Sequence, residues 1–164
     1  MEPDRVGTNV GGQVSGNDLP AACGAVPSDD RTQTRMLRIA AIAGMLAVLI
    51  GAFGAHGLPD RLAEFSMDEE TFARRLAQFD TGARYHLAHA IVLLVMVALP
   101  VQRTRLFRIA FGLILIGIVL FSGSLYVLVL TNTPWLGAIT PIGGTCWIIG
   151  WCSLAFMKFS NRNA

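Results

Sequence analysis

Charge is what this sequence has least of. Only 15% of its 164 residues are Asp, Glu, Lys or Arg, where a soluble domain carries about 25%. The net charge of +2 is too small and too scattered to form the basic stripe that neutralises phosphates, so nucleic acid is excluded as a partner. Cysteine is also sparse. Cys23 stands in a polar stretch, and Cys146 and Cys152 lie six apart on different faces of an apolar helical segment, so no disulfide framework or Cys-x-x-Cys site is expected. Leu19-Pro20-Ala21-Ala22 before Cys23 faintly resembles a lipoprotein box, but the apolar run that a signal sequence needs is missing.

Hydrophobic residues are plentiful, at 53%, and they are concentrated. Residues 1–34 are rich in Gly, Pro, Asp and Ser, with too few large apolar groups to offset the entropy of ordering them. A disordered tail is expected there, with Met36 a second candidate start. Residues 35–158 then read as one membrane domain, followed by a short tail, 159–164. Within the domain, four apolar segments run at about 36–58, 82–100, 106–130 and 135–157. Each is compared with the roughly 20 helical residues that cross about 30 Å of hydrocarbon. The second has fourteen uninterrupted apolar residues, Leu87 to Pro100, and must take in Tyr85 and His86 to span. In the fourth, Pro141 removes a backbone donor and predicts a kink.

The fold expected is all-α, an integral membrane four-helix bundle. Between the first two spans, Ser66 and Glu69 form a capping-box pattern, with Phe72, Leu76 and Phe79 at helical spacing. This pattern fits either a plain connector or an amphipathic helix on the membrane surface or over the bundle, with Asp68, Glu69, Glu70, Arg74 and Arg75 towards water. Lys and Arg set the orientation. With the N-terminus inside, nine basic residues face the cytoplasm (Arg5, Arg31, Arg35, Arg38, Arg103, Arg105, Arg108, Lys158, Arg162) and four face out (Arg61, Arg74, Arg75, Arg84). Both termini are therefore expected to be cytoplasmic, in the cell (inner) membrane, with Trp135 anchoring the outer interface.

The first segment presents Ala40, Gly44, Ala47, Gly51 and Gly54 at spacings of three and four. Such small-residue stripes let helices approach closely in lipid, where no hydrophobic drive joins them. Gly123, Gly143 and Gly144 are further candidates for packing. Polar residues fall in the outer half: His56, Tyr85, His86, His89, Ser122, Ser124, Tyr126 and Thr140. Unsatisfied polar groups are costly in hydrocarbon, so these are expected to face one another as one interior cluster. The plainest role for it is interhelical hydrogen bonding. A metal or haem site through His56, His86 and His89 lacks a diagnostic spacing or carboxylate partner. A Ser-His hydrolase lacks a nucleophile elbow and an acidic partner. A small-molecule or ion pathway is suggested by the proline and glycines of the fourth segment, although no carboxylate lies mid-membrane. No metal, cofactor or enzymatic activity is expected.

Four ordered motifs, Gly51-Ala52-Phe53-Gly54-Ala55-His56-Gly57-Leu58, Tyr85-His86-Leu87-Ala88-His89, Phe121-Ser122-Gly123-Ser124-Leu125-Tyr126 and Ile139-Thr140-Pro141-Ile142-Gly143-Gly144, resemble the YgdD/YwdK-like family of small multi-pass membrane proteins. The resemblance covers about residues 36–158. It implies a four-span protein of the bacterial inner membrane, or of an organelle membrane in a eukaryote, and implies no activity. Three departures stand out: the N-terminal tail, a longer stretch around Phe65 to Arg75, and Asn132 where glycine is typical. The function expected is a non-enzymatic structural or partner-binding membrane component, with the lipid bilayer and a homo-oligomer or another membrane protein as partners. The runner-up is a small transport or ligand-binding protein for metal, haem or lipid, working through the outer-leaflet polar cluster.

Overall fold

The computed structural model describes residues 28–158. The expectations for residues 1–27 and 159–164 lie outside the described residues. Among the described residues there are six α-helices, of which five make four spans and one, α2, is a short connector. The first span is α1, Ser28–His56. It starts ahead of the boundary expected at residue 34, because helical bonding propagates back from the apolar run one residue at a time; Thr34 Oγ1 donates to the Asp30 carbonyl at 2.8 Å within this extension. A turn at Gly57 leads into the short α2, Leu58–Ala63, with Pro59 in its first turn.

The second span is α3, Glu69–Ala98, capped by Asp68, whose carboxylate accepts the Thr71 N–H at 2.8 Å. Asp68, rather than Ser66, is the cap, and the amphipathic segment is not a separate helix. It runs into the span without a break, since Gly82 alone is too weak a helix breaker to interrupt a 30-residue ladder. Arg75, expected to face water, is buried at 5% exposure for reasons given below.

The third span joins α4, Arg105–Gly117, to α5, Gly123–Thr131, through a π-helical turn over Ile118–Ser122. The fourth combines a 3₁₀ turn, Pro134–Ala138, with α6, Thr140–Ala155. Pro141 lies in the first turn of α6, where its missing N–H would be unsatisfied anyway and its fixed φ suits helix initiation. It starts a helix instead of kinking one. The four spans, 27 (Asp30–His56 of α1), 30, 27 and 22 residues long, all exceed the length a bilayer demands.

Packing is serial: α1 lies on α3, α3 on the third span, and the third span on α6. The central pair is α3 and the third span. Ala40, Ala43, Ala90, Leu93, Phe107, Ala110, Ile114 and Trp147 form part of the main buried cluster. A second cluster at the other end places Leu58 and Leu62 of α2 under Phe79, Leu128 and Val129. Each outer helix leaves one open side. Between α1 and the third span runs an apolar groove of about 360 Å³ floored by His86 and Tyr126, and between α3 and α6 a cleft of about 420 Å³.

Candidate functional site

The polar residues form two groups on opposite flanks of the α3–third span contact. His86 and His89 are three residues apart, and so about 60° apart around the helix. That difference sends them to different neighbours. On the α1 flank, His86 Nδ1 lies 3.3 Å from the Tyr126 hydroxyl, and the imidazole also lies against the Ala43 carbonyl of α1. Gly82, one turn before His86, makes this possible, because a Cβ there would come within 3.0 Å of the Tyr126 ring. Beside the Tyr126 hydroxyl sits Ser122, completely buried, whose Oγ has no partner in hydrogen-bond geometry among the described residues.

On the α6 flank, His89 is saturated. Its Nδ1 is 2.8 Å from the Tyr85 carbonyl, which can only accept, so Nδ1 carries the proton. Nε2 is therefore the acceptor that receives the Trp151 indole N–H at 3.3 Å. The ring is stacked on Trp147 with centroids 3.8 Å apart and planes 4° from parallel. Tyr85, half exposed, stacks on the other part of Trp147 and tilts against Phe121. A histidine so held has no free nitrogen for a metal or a substrate proton. Ser124 and Thr140 pair at 2.8 Å, joining the third and fourth spans.

His56 is exposed at the end of α1 and belongs to neither group. The single cluster expected from depth is thus two, since depth along the axis fixes height and not azimuth. Among the described residues no three His, Cys, Asp or Glu side chains come together as a metal site would require.

The π turn is where α6 comes closest. A Cβ on Gly143 would lie 2.8 Å from the Phe121 Cα, and one on Gly117 would run into the Trp147 indole. Trp147 uses that space to donate from its indole to the Ile114 carbonyl at 3.0 Å, one turn ahead of the π segment. Gly144 meets Phe121 at ordinary distance, and Gly54 leaves room for the Phe79 ring. A Cβ on Gly44, Gly51 or Gly123 would meet nothing within 4 Å. The buried face of α1 is Ala40, Ala43 and Ala47 instead.

Residues outside the expected set complete the site. Trp147 and Trp151 are four apart, hence on one face of α6. Arg75 is buried because its Nε and Nη2 donate to Asn132 Oδ1 at 3.2 and 2.8 Å and its Nη1 to Gln78 Oε1 at 3.0 Å. Asn132 ends α5 in the left-handed region, at φ 49°. Asparagine tolerates that conformation where most residues do not, and unlike glycine it offers Arg75 an acceptor. The guanidinium also faces the negative end of the α5 dipole.

Known proteins place the chain. The family described as "Protein of unknown function (DUF423)" matches residues 50–144, from within α1 to the start of α6. A "UPF0382 membrane protein" of Haemophilus influenzae is 37% identical over 131 residues, covering 80% of this chain and 98% of that protein. The "UPF0382 membrane protein YwdK" of Bacillus subtilis is 42% identical over 115 residues, 69% and 86% of the two chains. A relative from Staphylococcus epidermidis is 40% identical over 124 residues, 74% and 94%. No solved structure matches. With half the chain inside the family's pattern and relatives matched over nearly their whole length, this chain belongs to the DUF423 family of membrane proteins.

Proposed function

We propose that the chain is a non-enzymatic, structural or partner-binding component of the cell (inner) membrane, with both termini on the cytoplasmic side. One observation carries the reading: the imidazole best placed for chemistry, His89, spends both nitrogens and a ring face on neighbours. A general base needs a free nitrogen within reach of a substrate proton, and His89 has none. Ser124, Thr140 and Tyr126 are likewise tied to other spans or helices. Interhelical hydrogen bonds of this kind hold bundles together in lipid. The basic residues at the end formed by the start of α1, the α3–α4 loop and the end of α6 support the orientation.

The experiment separates structure from chemistry. His89→Gln is introduced into the native gene, and protein abundance and thermal stability are measured beside the growth phenotype of a deletion strain. Stability and phenotype should fall together. A variant with wild-type abundance and melting temperature that reproduces the deletion phenotype would overturn the non-enzymatic reading. For orientation, Ser160→Cys and Asp60→Cys, each in a background without native cysteines, should label from opposite sides with a membrane-impermeant thiol reagent. Labelling of Ser160→Cys from the outside of intact cells would reverse it.

A further inference from the structure

After Asp80 the sequence contains no Asp or Glu, while Arg84, Arg103, Arg105, Arg108, Lys158 and Arg162 all follow it. Arg103, Arg105, Arg108 and Lys158 gather at one end of the bundle, where α3 ends, α4 begins and α6 ends. The Gln102 N–H donates to the Lys158 carbonyl at 3.1 Å, so the α3–α4 loop and the end of α6 are tied into one rim. Arg103 is fixed on that rim. Its Nη2 donates to the Val97 carbonyl at 2.7 Å, and its guanidinium carbon stands 4.6 Å from the centre of the Phe107 ring. Asp30, a carboxylate at this end, is on α1, which packs on α3 and away from α6.

Phe107 is also a wall of the cleft between α3 and α6, with Ile91, Val95, Leu99, Leu154 and Met157. The cleft is thus an apolar slot beneath a cationic rim that pairs with no carboxylate among the described residues. We infer that this slot holds an acyl chain of an anionic glycerophospholipid, with its phosphate against Arg103 and Lys158. Shape suits a chain: from Ile91 to Leu99 the cleft runs roughly 12 Å along α3, with an apolar lining and a volume of about 420 Å³. Charge argues for an anionic head, because basic pockets between spans attract phosphate groups and each Lys or Arg adds to that attraction. The inference goes beyond the proposed function and holds whichever leaflet this end faces.

Trp151 lines the cleft and reports on its contents. The full chain is placed in nanodiscs of dioleoylphosphatidylcholine containing one-tenth of a lipid with brominated chains, which quenches nearby tryptophan. Brominated phosphatidylglycerol should quench Trp151 more than brominated phosphatidylcholine at the same fraction. Lys158→Gln removes an exposed charge and should weaken the preference about fivefold; Val95→Phe narrows the slot and should abolish it. In Trp151→Phe protein the remaining emission, from Trp135 at the opposite end and 67% exposed and from buried Trp147, should be quenched equally by both lipids. Equal quenching of the wild type by both lipids, or an unchanged preference in Lys158→Gln, would overturn the inference. So would displacement of brominated phosphatidylglycerol by oleate at equal concentration, which would assign the slot to a free fatty acid.

Discussion

The two outer helices, α1 and α6, solve the same problem differently. Each makes one close seam with the central pair and leaves one open groove. The α1 seam is built mostly of methyl groups, Ala40, Ala43 and Ala47, with Gly54 near its end admitting the Phe79 ring. The α6 seam is built of glycines that admit a large aromatic: Gly117 makes room for Trp147, and Gly143 lets α6 touch the backbone of the π turn. Its polar contacts are specific: the Trp147 indole donates to Ile114, the Trp151 indole donates to His89, and the Ser124 and Thr140 hydroxyls pair, with Ser124 donating to the Phe121 carbonyl. Alanine on alanine permits close packing while fixing rotation and register weakly. An indole bonded to one particular carbonyl fixes both. The π turn, of a type often found at functional sites, therefore lies on the keyed side of the molecule, which leaves α1 as the helix freer to shift against its neighbours.

The sharpest way to break the comparison is to add side chains where each helix has none. Gly143→Val should destabilise the protein by about 3 kcal/mol or more, because its Cβ meets the Phe121 backbone and neither helix can yield locally. Gly44→Ala, with nothing within 4 Å of the new methyl, should be neutral or stabilising by up to about 1 kcal/mol through helix propensity. Thermal unfolding in one detergent compares them directly. Equal losses would mean that both seams are equally tight. Trp147→Phe comes next. It removes the indole donor from the Ile114 carbonyl, which keeps the Ile118 N–H, and should cost about 1–2 kcal/mol, since interhelical hydrogen bonds in lipid are worth about 0.6–1.7. Tyr126→Phe removes the 3.3 Å contact with His86 inside the central pair, between α5 and α3, and should cost less; a larger loss than that of Trp147→Phe would mean that the central seam and not the α6 seam carries the stronger key.

Much of this was legible beforehand, because each span's hydropathy is a property of its own residues. What was not legible depends on neighbours. Nothing in Ile118–Ser122 marks a π turn, since its side chains are as apolar as those of the α-helices around it apart from Ser122. His86 and His89 share an arc on a helical wheel, yet 60° is enough to put one against Tyr126 and the other against Trp151. Arg75 looked like a solvated charge because its acceptor, Asn132, is 57 residues away. The departure from glycine at 132 was visible in the sequence; its meaning required both ends of the pair.

Asn132 tests the central seam to which both outer helices attach. Asn132→Gly keeps the left-handed turn and takes the acceptor from two Arg75 N–H groups, so it should cost about 2–3 kcal/mol, the penalty for leaving buried charged donors unpaired. Asn132→Ala removes the acceptor and adds left-handed strain of about 1–2 kcal/mol, and should be the worse of the two in the same unfolding assay. If the glycine variant matched wild type, the Arg75 contact would contribute nothing and burial of that guanidinium would need another explanation.

The smallest effect is expected at the start of α3, ahead of its contacts with α1, where Asp68 caps the helix. The Thr71 N–H holds the Asp68 carboxyl below its usual value of 3.8. A depressed folded-state pKa means that the charged form is the one the fold favours. Its contribution is therefore fully present above the unfolded value and is lost as pH falls through the folded one. Lowering the pH below about 3.8 should release amide protection at Thr71, after correction for intrinsic exchange, while Leu93 and Ala90 in the core stay protected. Asp68→Asn supplies the decisive control. Asparagine is also a good cap but carries no titrating charge, so the variant should protect Thr71 to the same extent at every pH in this window. A variant that still opened with acid would show that another carboxylate near the turn, Glu69 or Glu70, controls the fraying. Protection at Leu93 that fell in step with Thr71 would show something larger, that the α1–α3 seam loosens as a unit from its outer end.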